Sequence, residues 1–151
     1  MGEFDSFMKL LKGNIADWSL ETFLNFMKWS IENSRDGFFK LPALKGYYKN
    51  VQDFSAIYVF TTRDKTLQAT ARFINGAMTV EPSAATEWDL KIVFKDASAF
   101  WRFIISGGDK TVDALLANDV QVYGNLNYLY KFGFLVKDMI SQRLGINLAY
   151  V

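Results

Sequence analysis

Residues 54–94 alternate apolar and polar side chains with a period of two, and Asn75-Gly76 breaks the alternation near its middle. Nothing else in the chain constrains its folding more. Successive side chains of a strand point to opposite faces, so a period of two writes a half-buried sheet. Asn-Gly between two such runs is the strongest short-range hairpin signal, because a type I′ turn needs positive φ at both central positions. Phe54, Ala56, Tyr58 and Phe60 make a first strand, and Arg63-Asp64-Lys65 turns the chain. Leu67, Ala69, Ala71 and Phe73 make a second, and residues 77–81 return from Asn75-Gly76. After a loop over 82–86, Trp88, Leu90, Ile92 and Phe94 make a fourth. The pattern predicts an antiparallel meander with one apolar face and one wet face.

On either side the period becomes helical. Phe4, Phe7, Met8 and Leu11 give residues 1–16 the look of a short amphipathic arm, stopped by Gly13-Asn14. Residues 18–34 form the clearest helix of the N-terminal half, with Leu20, Phe23, Leu24, Met27 and Ile31 on one stripe. Ser19 or Asp17 can cap its start, and Asp36-Gly37 ends it. Phe26 and Trp29 lie off that stripe, so this helix is either buried on two sides or meets a partner or ligand. Residues 37–50 are a connector holding Pro42, Gly46, four aromatics and Lys40, Lys45 and Lys49, with no acid. That composition suits contact with anionic lipid headgroups, or a loop with anchoring aromatics and solvated lysines. Beyond the fourth strand, Asp96 or Ser98 caps a helix holding Phe100, Trp101, Ile104 and Ile105, which stops at Gly107-Gly108. A shorter helix carries Val112, Leu115 and Leu116, and residues 120–123 form a fifth, short strand ending at Gly124. A long helix over 126–144 turns Leu129, Phe132, Val136, Met139 and Ile140 inward and ends at Gly145. Strands followed by helices imply an α+β fold: a five-stranded meander-type sheet with helices packed on one face.

At 151 residues the chain predicts a single compact unit. Its organisation reads as an N-terminal helical extension and connector over 1–50, then the sheet-and-helix body over 51–151. It contains neither His nor Cys. That excludes a Ser-His-Asp triad, an imidazole base, a thiolate nucleophile, a disulfide and a zinc ribbon. Seventeen Lys and Arg against sixteen Asp and Glu leave a net charge of +1, no footprint for nucleic acid. The longest uncharged run is eleven residues, 120–130, short of the ~18 a membrane span needs. The N-terminus carries Glu3 and Asp5 with no basic segment, which argues against a secretory signal, so a cytoplasmic protein is expected.

Three stretches invite a catalytic reading and fail it. In Gly107-Gly108-Asp109-Lys110-Thr111, Asp109 separates the glycines from the Lys-Thr pair, and a helix rather than a strand precedes them. No dinucleotide fingerprint or nucleophile elbow is present. Glu81, Glu87 and Asp89 cluster at a strand corner, where a solvated strand face explains them better than a paired-carboxylate site. No metal site and no cofactor are expected, and the chain reads as a non-enzyme. What remains is an abundance of apolar material: 14 Phe, 7 Tyr and 4 Trp beside many Leu, Ile, Val and Met. It can simply fill a core, or it can line a pocket, since pockets are lined mostly by such residues.

The order of elements over residues 51–144 resembles the sterol carrier protein 2 family of lipid-binding and lipid-transfer domains. Asn75-Gly76 resembles the family's hairpin glycine, and residues 89–100 (Asp-Leu-Lys-Ile-Val-Phe-Lys-Asp-Ala-Ser-Ala-Phe) resemble its acid-led strand and capped helix. Ile104-Ile-Ser-Gly107 resembles the end of that helix. Residues 114–126 look like its short helix, edge strand and Gly-led last helix. The chain departs from the pattern at Asn118-Asp119, where the family commonly has Gly; Asn and Asp tolerate the left-handed conformation, so the turn can survive. It also lacks the peroxisomal tripeptide, and residues 1–50 have no clear counterpart.

The resemblance implies an apolar tunnel between sheet and helices, holding an acyl chain, a sterol or a similar amphiphile without chemistry. The candidate lining is Phe100, Ile104, Leu115, Leu116, Val122, Leu126, Leu129, Phe132, Val136 and Met139. The partner would be a lipid or apolar small molecule, with transient contact at a membrane surface. The alternative is an interaction module that binds a protein partner or forms a homodimer through the N-terminal helix and the Phe38–Tyr48 loop, with Phe26 and Trp29 as anchors.

Overall fold

The computed structural model describes residues 20–36, 41–106 and 111–145. The amphipathic arm over 1–16, the Asp17 or Ser19 cap and the Gly107-Gly108 stop lie outside the described residues. Helix α1 spans Leu20–Arg35. Two 3₁₀ turns follow, Pro42–Leu44 and Tyr47–Asn50. The strands are β1 (Ala56–Thr62), β2 (Gln68–Ile74), β3 (Ala77–Glu81) and β4 (Leu90–Phe94). Helices α2 (Ala97–Ser106) and α3 (Thr111–Leu116) precede β5 (Val120–Gly124) and α4 (Leu126–Lys137). A π-helical turn, Asp138–Arg143, continues α4.

The predicted turn chemistry is present. Asn75 (φ 46°) and Gly76 (φ 89°) both adopt positive φ between β2 and β3. The turn is wedged under Tyr48, whose ring would collide with any Cβ at position 76. Asn118 takes φ 59° ahead of β5, so the left-handed turn survives without glycine. Asp96 caps α2 by accepting from the Ala99 N–H at 2.8 Å. Asn125 caps α4 by accepting from the Asn127 N–H at 2.9 Å.

The strand order is β3-β2-β1-β4-β5. β1, β2 and β3 form the expected meander, but β4 does not extend it. It lies parallel to β1 on the far side, with Tyr58 beside Leu90 and Phe60 beside Ile92. The sheet is therefore mixed, and the expectation of a wholly antiparallel meander is corrected. Residues 82–89 carry the chain from one edge past β2 and β1. Thr70 pins them: its hydroxyl donates to the Ser83 carbonyl at 2.7 Å and accepts from the Ala85 N–H at 2.9 Å. Asp89 then docks on β1, its N–H donating to the Ile57 carbonyl and its carboxylate accepting from the Ile57 N–H at 2.7 Å.

This crossover explains two further departures. Trp88 falls in the connection, 38% exposed, and does not belong to the inward row of β4. Nor is the second face uniformly wet, because Val59 and Thr70 on it are fully buried.

The inner face follows the register. Tyr58, Ala71 and Leu90 form one cross-strand row, and Phe60, Ala69 and Ile92 the next. Ile92 pairs with Val122, and Phe94 with Val120. Helices cover this face, and α1 belongs to the same core. Phe23 meets Phe100 and Trp101 edge-on at 6.3 and 6.1 Å. Phe26, off the predicted stripe, is 2% exposed and stacks on Trp29 at 5.9 Å. The helix is thus buried on two sides, and the anchor role of the interaction-module alternative is not open to Phe26.

Candidate functional site

A line of aromatic rings runs through the layer between sheet and helices. Phe94 on β4 meets Phe100 and Phe103 on α2 at 5.3 and 6.0 Å. Phe103 stacks on Phe132 of α4 at 6.5 Å, with ring planes 14° apart. Phe132 in turn meets Phe60 at 4.9 Å and Tyr58 at 5.5 Å. The Tyr58 hydroxyl donates to the Tyr128 carbonyl at 2.8 Å, satisfying a buried polar atom. Burial, with smaller contributions from Tyr128 and Asp89, pushes its phenol far above the usual range.

Of the ten predicted lining residues, Phe100, Ile104, Leu129, Phe132, Val136 and Met139 are buried in this layer. Leu115 and Val122 are half-buried and pack against the core. Leu116, 81% exposed, and Leu126, 42% exposed, face outward. Leu126 opens α4 on the side that carries the exposed Tyr130 and Phe134, away from the buried Leu129, Phe132 and Val136. Leu116 ends the six-residue α3, too short for a stripe to be defined.

An open groove of about 200 Å³ lies between α2 and α3. Its walls are Ala99, Arg102 and Phe103 on α2, Asp113 and Ala114 on α3, and Ala117 and Asp119 beyond. Three alanines leave the space, since none has a side chain long enough to cross between the helices. Arg102 reaches Asp119 at 3.6 Å across the rim. Phe103 is the shared wall, with one edge in the groove and its ring packed on Phe94 and Phe132. The lining predicted from sequence includes none of these seven residues. The available signal was the alanine spacing 99, 114 and 117 around a turn, which periodicity does not score.

The π-helical turn is tied to the connector. The Asp138 carboxylate, nearly buried, accepts from Arg143 Nε and from Asn50 Nδ2, both at 2.8 Å. Lys131 Nζ donates to the Asn50 carbonyl at 2.9 Å, and the Tyr47 hydroxyl donates to the Leu135 carbonyl at 2.8 Å. Burial, and secondarily the Asp138 charge, hold the Tyr47 phenol neutral far above its usual range.

Among the described residues no group of three or more Asp and Glu is arranged to hold a metal ion. Glu81 pairs with Arg72, and Asp89 serves the β1–β4 pairing, so the sequence cluster Glu81, Glu87 and Asp89 does not converge as a unit. Among the described residues no helix is long and apolar enough to cross a membrane.

A five-stranded mixed sheet with helices over one face defines the sterol carrier protein 2-like fold, and this chain has it. The solved "UbiJ-SCP2 Ubiquinone synthesis protein" matches with a TM-score of 0.53 and 15% identity, over 87% of this chain and 96% of that one. The sterol carrier protein domain 2 of Helicoverpa armigera matches with a TM-score of 0.54 and 16% identity, over 89% and 95%. A sec-alkylsulfatase, Pisa1 from Pseudomonas sp., matches with a TM-score of 0.51 and 18% identity, over 67% of this chain but 16% of that enzyme. No protein-family model matches the sequence. No curated protein matches it either.

Proposed function

We propose that the chain binds the apolar chain of a lipid, sterol or isoprenoid-like molecule between its sheet and helices α2–α4, and carries it without chemical change. The observation that carries this reading is Phe103, which floors the α2–α3 groove while stacking on Phe132 inside. A small movement of that ring joins the groove to the aromatic layer. Alone, the groove of about 200 Å³ is below the ~300–1,000 Å³ of a drug-sized site, so the cargo enters by displacing Phe103. Each methylene removed from water contributes about 0.8 kcal/mol before association costs are deducted. The kinship in fold with a sterol carrier domain and a ubiquinone synthesis protein supports an apolar cargo.

The test uses Ala117→Trp, which fills the groove from an exposed position and leaves the core untouched. Wild-type protein should copurify with lipid in native mass spectrometry and bind a fluorescent fatty acid, and the folded variant should bind it about tenfold or more weaker, since filling the space excludes cargo. Unchanged affinity would place the entry elsewhere.

A further inference from the structure

The α2–α3 groove is a slot whose width is set by small side chains. On α2, Ala99, Arg102 and Phe103 fall at i, i+3 and i+4, so one stripe of that helix faces the groove. Ala114 and Ala117 stand on the other wall. The alanines leave nearly all the width their backbones allow, and the Phe103 ring closes the bottom. A cavity of about 150 Å³ holds benzene, so the groove's volume of about 200 Å³ holds about eight carbons.

Behind Phe103 the rings are packed one on the next. Phe103 lies on Phe132 with ring planes 14° apart, Phe132 meets Phe60 at 4.9 Å, and Phe60 stacks on Tyr58 at 6.0 Å. Phe60 and Phe132 are fully buried, and the Tyr58 hydroxyl is tethered to the Tyr128 carbonyl at 2.8 Å. Interiors packed in this way have low compressibility, and inserted bulk forces side chains off their rotamers.

We infer that the groove and Phe103 form a selectivity filter, which passes a flexible open chain and refuses a rigid fused-ring body such as a sterol. An open chain is one methylene wide and bends. It needs only the Phe103 ring to turn, and it then follows the ring faces one at a time. A fused-ring body is larger than the slot and would have to shift Phe103, Phe132 and Phe60 together. Phe103 is the residue that sets the limit, because the alanines have almost nothing left to give up. The inference rests on the carrier reading and narrows its cargo to a molecule whose buried part is an open chain.

The test titrates the full chain with two fluorescent probes, cis-parinaric acid as the open chain and dehydroergosterol as the fused-ring sterol. Wild type should bind the open chain about tenfold or more tighter, since overpacking of a filled interior falls on the sterol alone. Phe103→Ala should lose most of that preference by gaining sterol affinity, a gain that destabilisation by itself would not produce. The wild-type ratio needs no variant, so the test is decided even where Phe103→Ala fails to fold. Sterol bound as tightly as the open chain, or more tightly, would overturn the filter and leave the carrier reading standing. An unchanged preference in folded Phe103→Ala would overturn the assignment of the limit to Phe103. Binding of neither probe would overturn the carrier reading, and the filter with it.

Discussion

Phe103→Ala tests the fold and the function in one molecule. The side chain is 4% exposed and packs on Phe94 and Phe132 at 6.0 and 6.5 Å. Truncating a buried Phe to Ala costs about 3–5 kcal/mol, from lost transfer energy plus the cavity left behind. Two aromatic partners belong to the upper part of that range. The new space opens onto the groove, which water and ligand can reach, and that lowers the cavity contribution. The expected loss is therefore about 3 kcal/mol, or roughly 6–12 °C in Tm for a chain of this length. Urea and thermal unfolding followed by tryptophan fluorescence read the loss. Fluorescent fatty-acid titration reads the other half: with its gate removed, the folded variant should bind cargo at least as tightly as wild type and associate faster. Added fatty acid should then recover stability by mass action. A loss below about 1 kcal/mol would show that Phe103 is not a packed wall. Weaker binding by a folded variant would show that the groove does not lead inward.

Two other outcomes follow from the structure. Gly124 has φ 115°, and a Cβ there would strike the Asp89 carbonyl oxygen, so Gly124→Ala should cost more than about 2 kcal/mol by forcing β5 from the end of β4; denaturant unfolding checks it, and a near-neutral result would refute the close approach. Tyr47 and Tyr58 are held neutral by burial above the ordinary phenol value of 10.0. Their unfolded forms ionise first, so stability is intact below pH 10 and falls as pH rises above it. Absorbance titration should leave both silent until the fold opens, and Tyr47→Phe should remove one of the late-titrating groups.

Local chemistry was legible along the chain because it is decided by near neighbours. Asn75-Gly76 specified its own turn, Asp96 its own cap, and the alternation over 54–60 the inward row that Tyr58 and Phe60 occupy. Helical spacing likewise marked Leu129, Phe132, Val136 and Met139 as inward, and all four are buried. Spacing alone picked the inner side of α4, with Leu129, Phe132 and Val136 buried; Leu126 entered the candidate lining through the family resemblance and is 42% exposed. Phe103 and the alanines of the groove escaped because a space is a property of facing surfaces.

The sequence by itself determined which residues turn, which alternate and which cap, along with the absence of imidazole and thiol chemistry. Only the tertiary structure decided where β4 would lie. Leu90, Ile92 and Phe94 would bury their row equally well beside β3, since alternation specifies a face and carries no information about the neighbour. The choice of β1 rests on contacts distant in sequence: Asp89 bonding Ile57, Thr70 holding residues 82–89 across the outer face, and β5 closing on the free side of β4. The same long-range closure set Phe103 between the groove and the ring line, and tied the connector's backbone at Lys45 and Asn50 to Arg143 and Lys131.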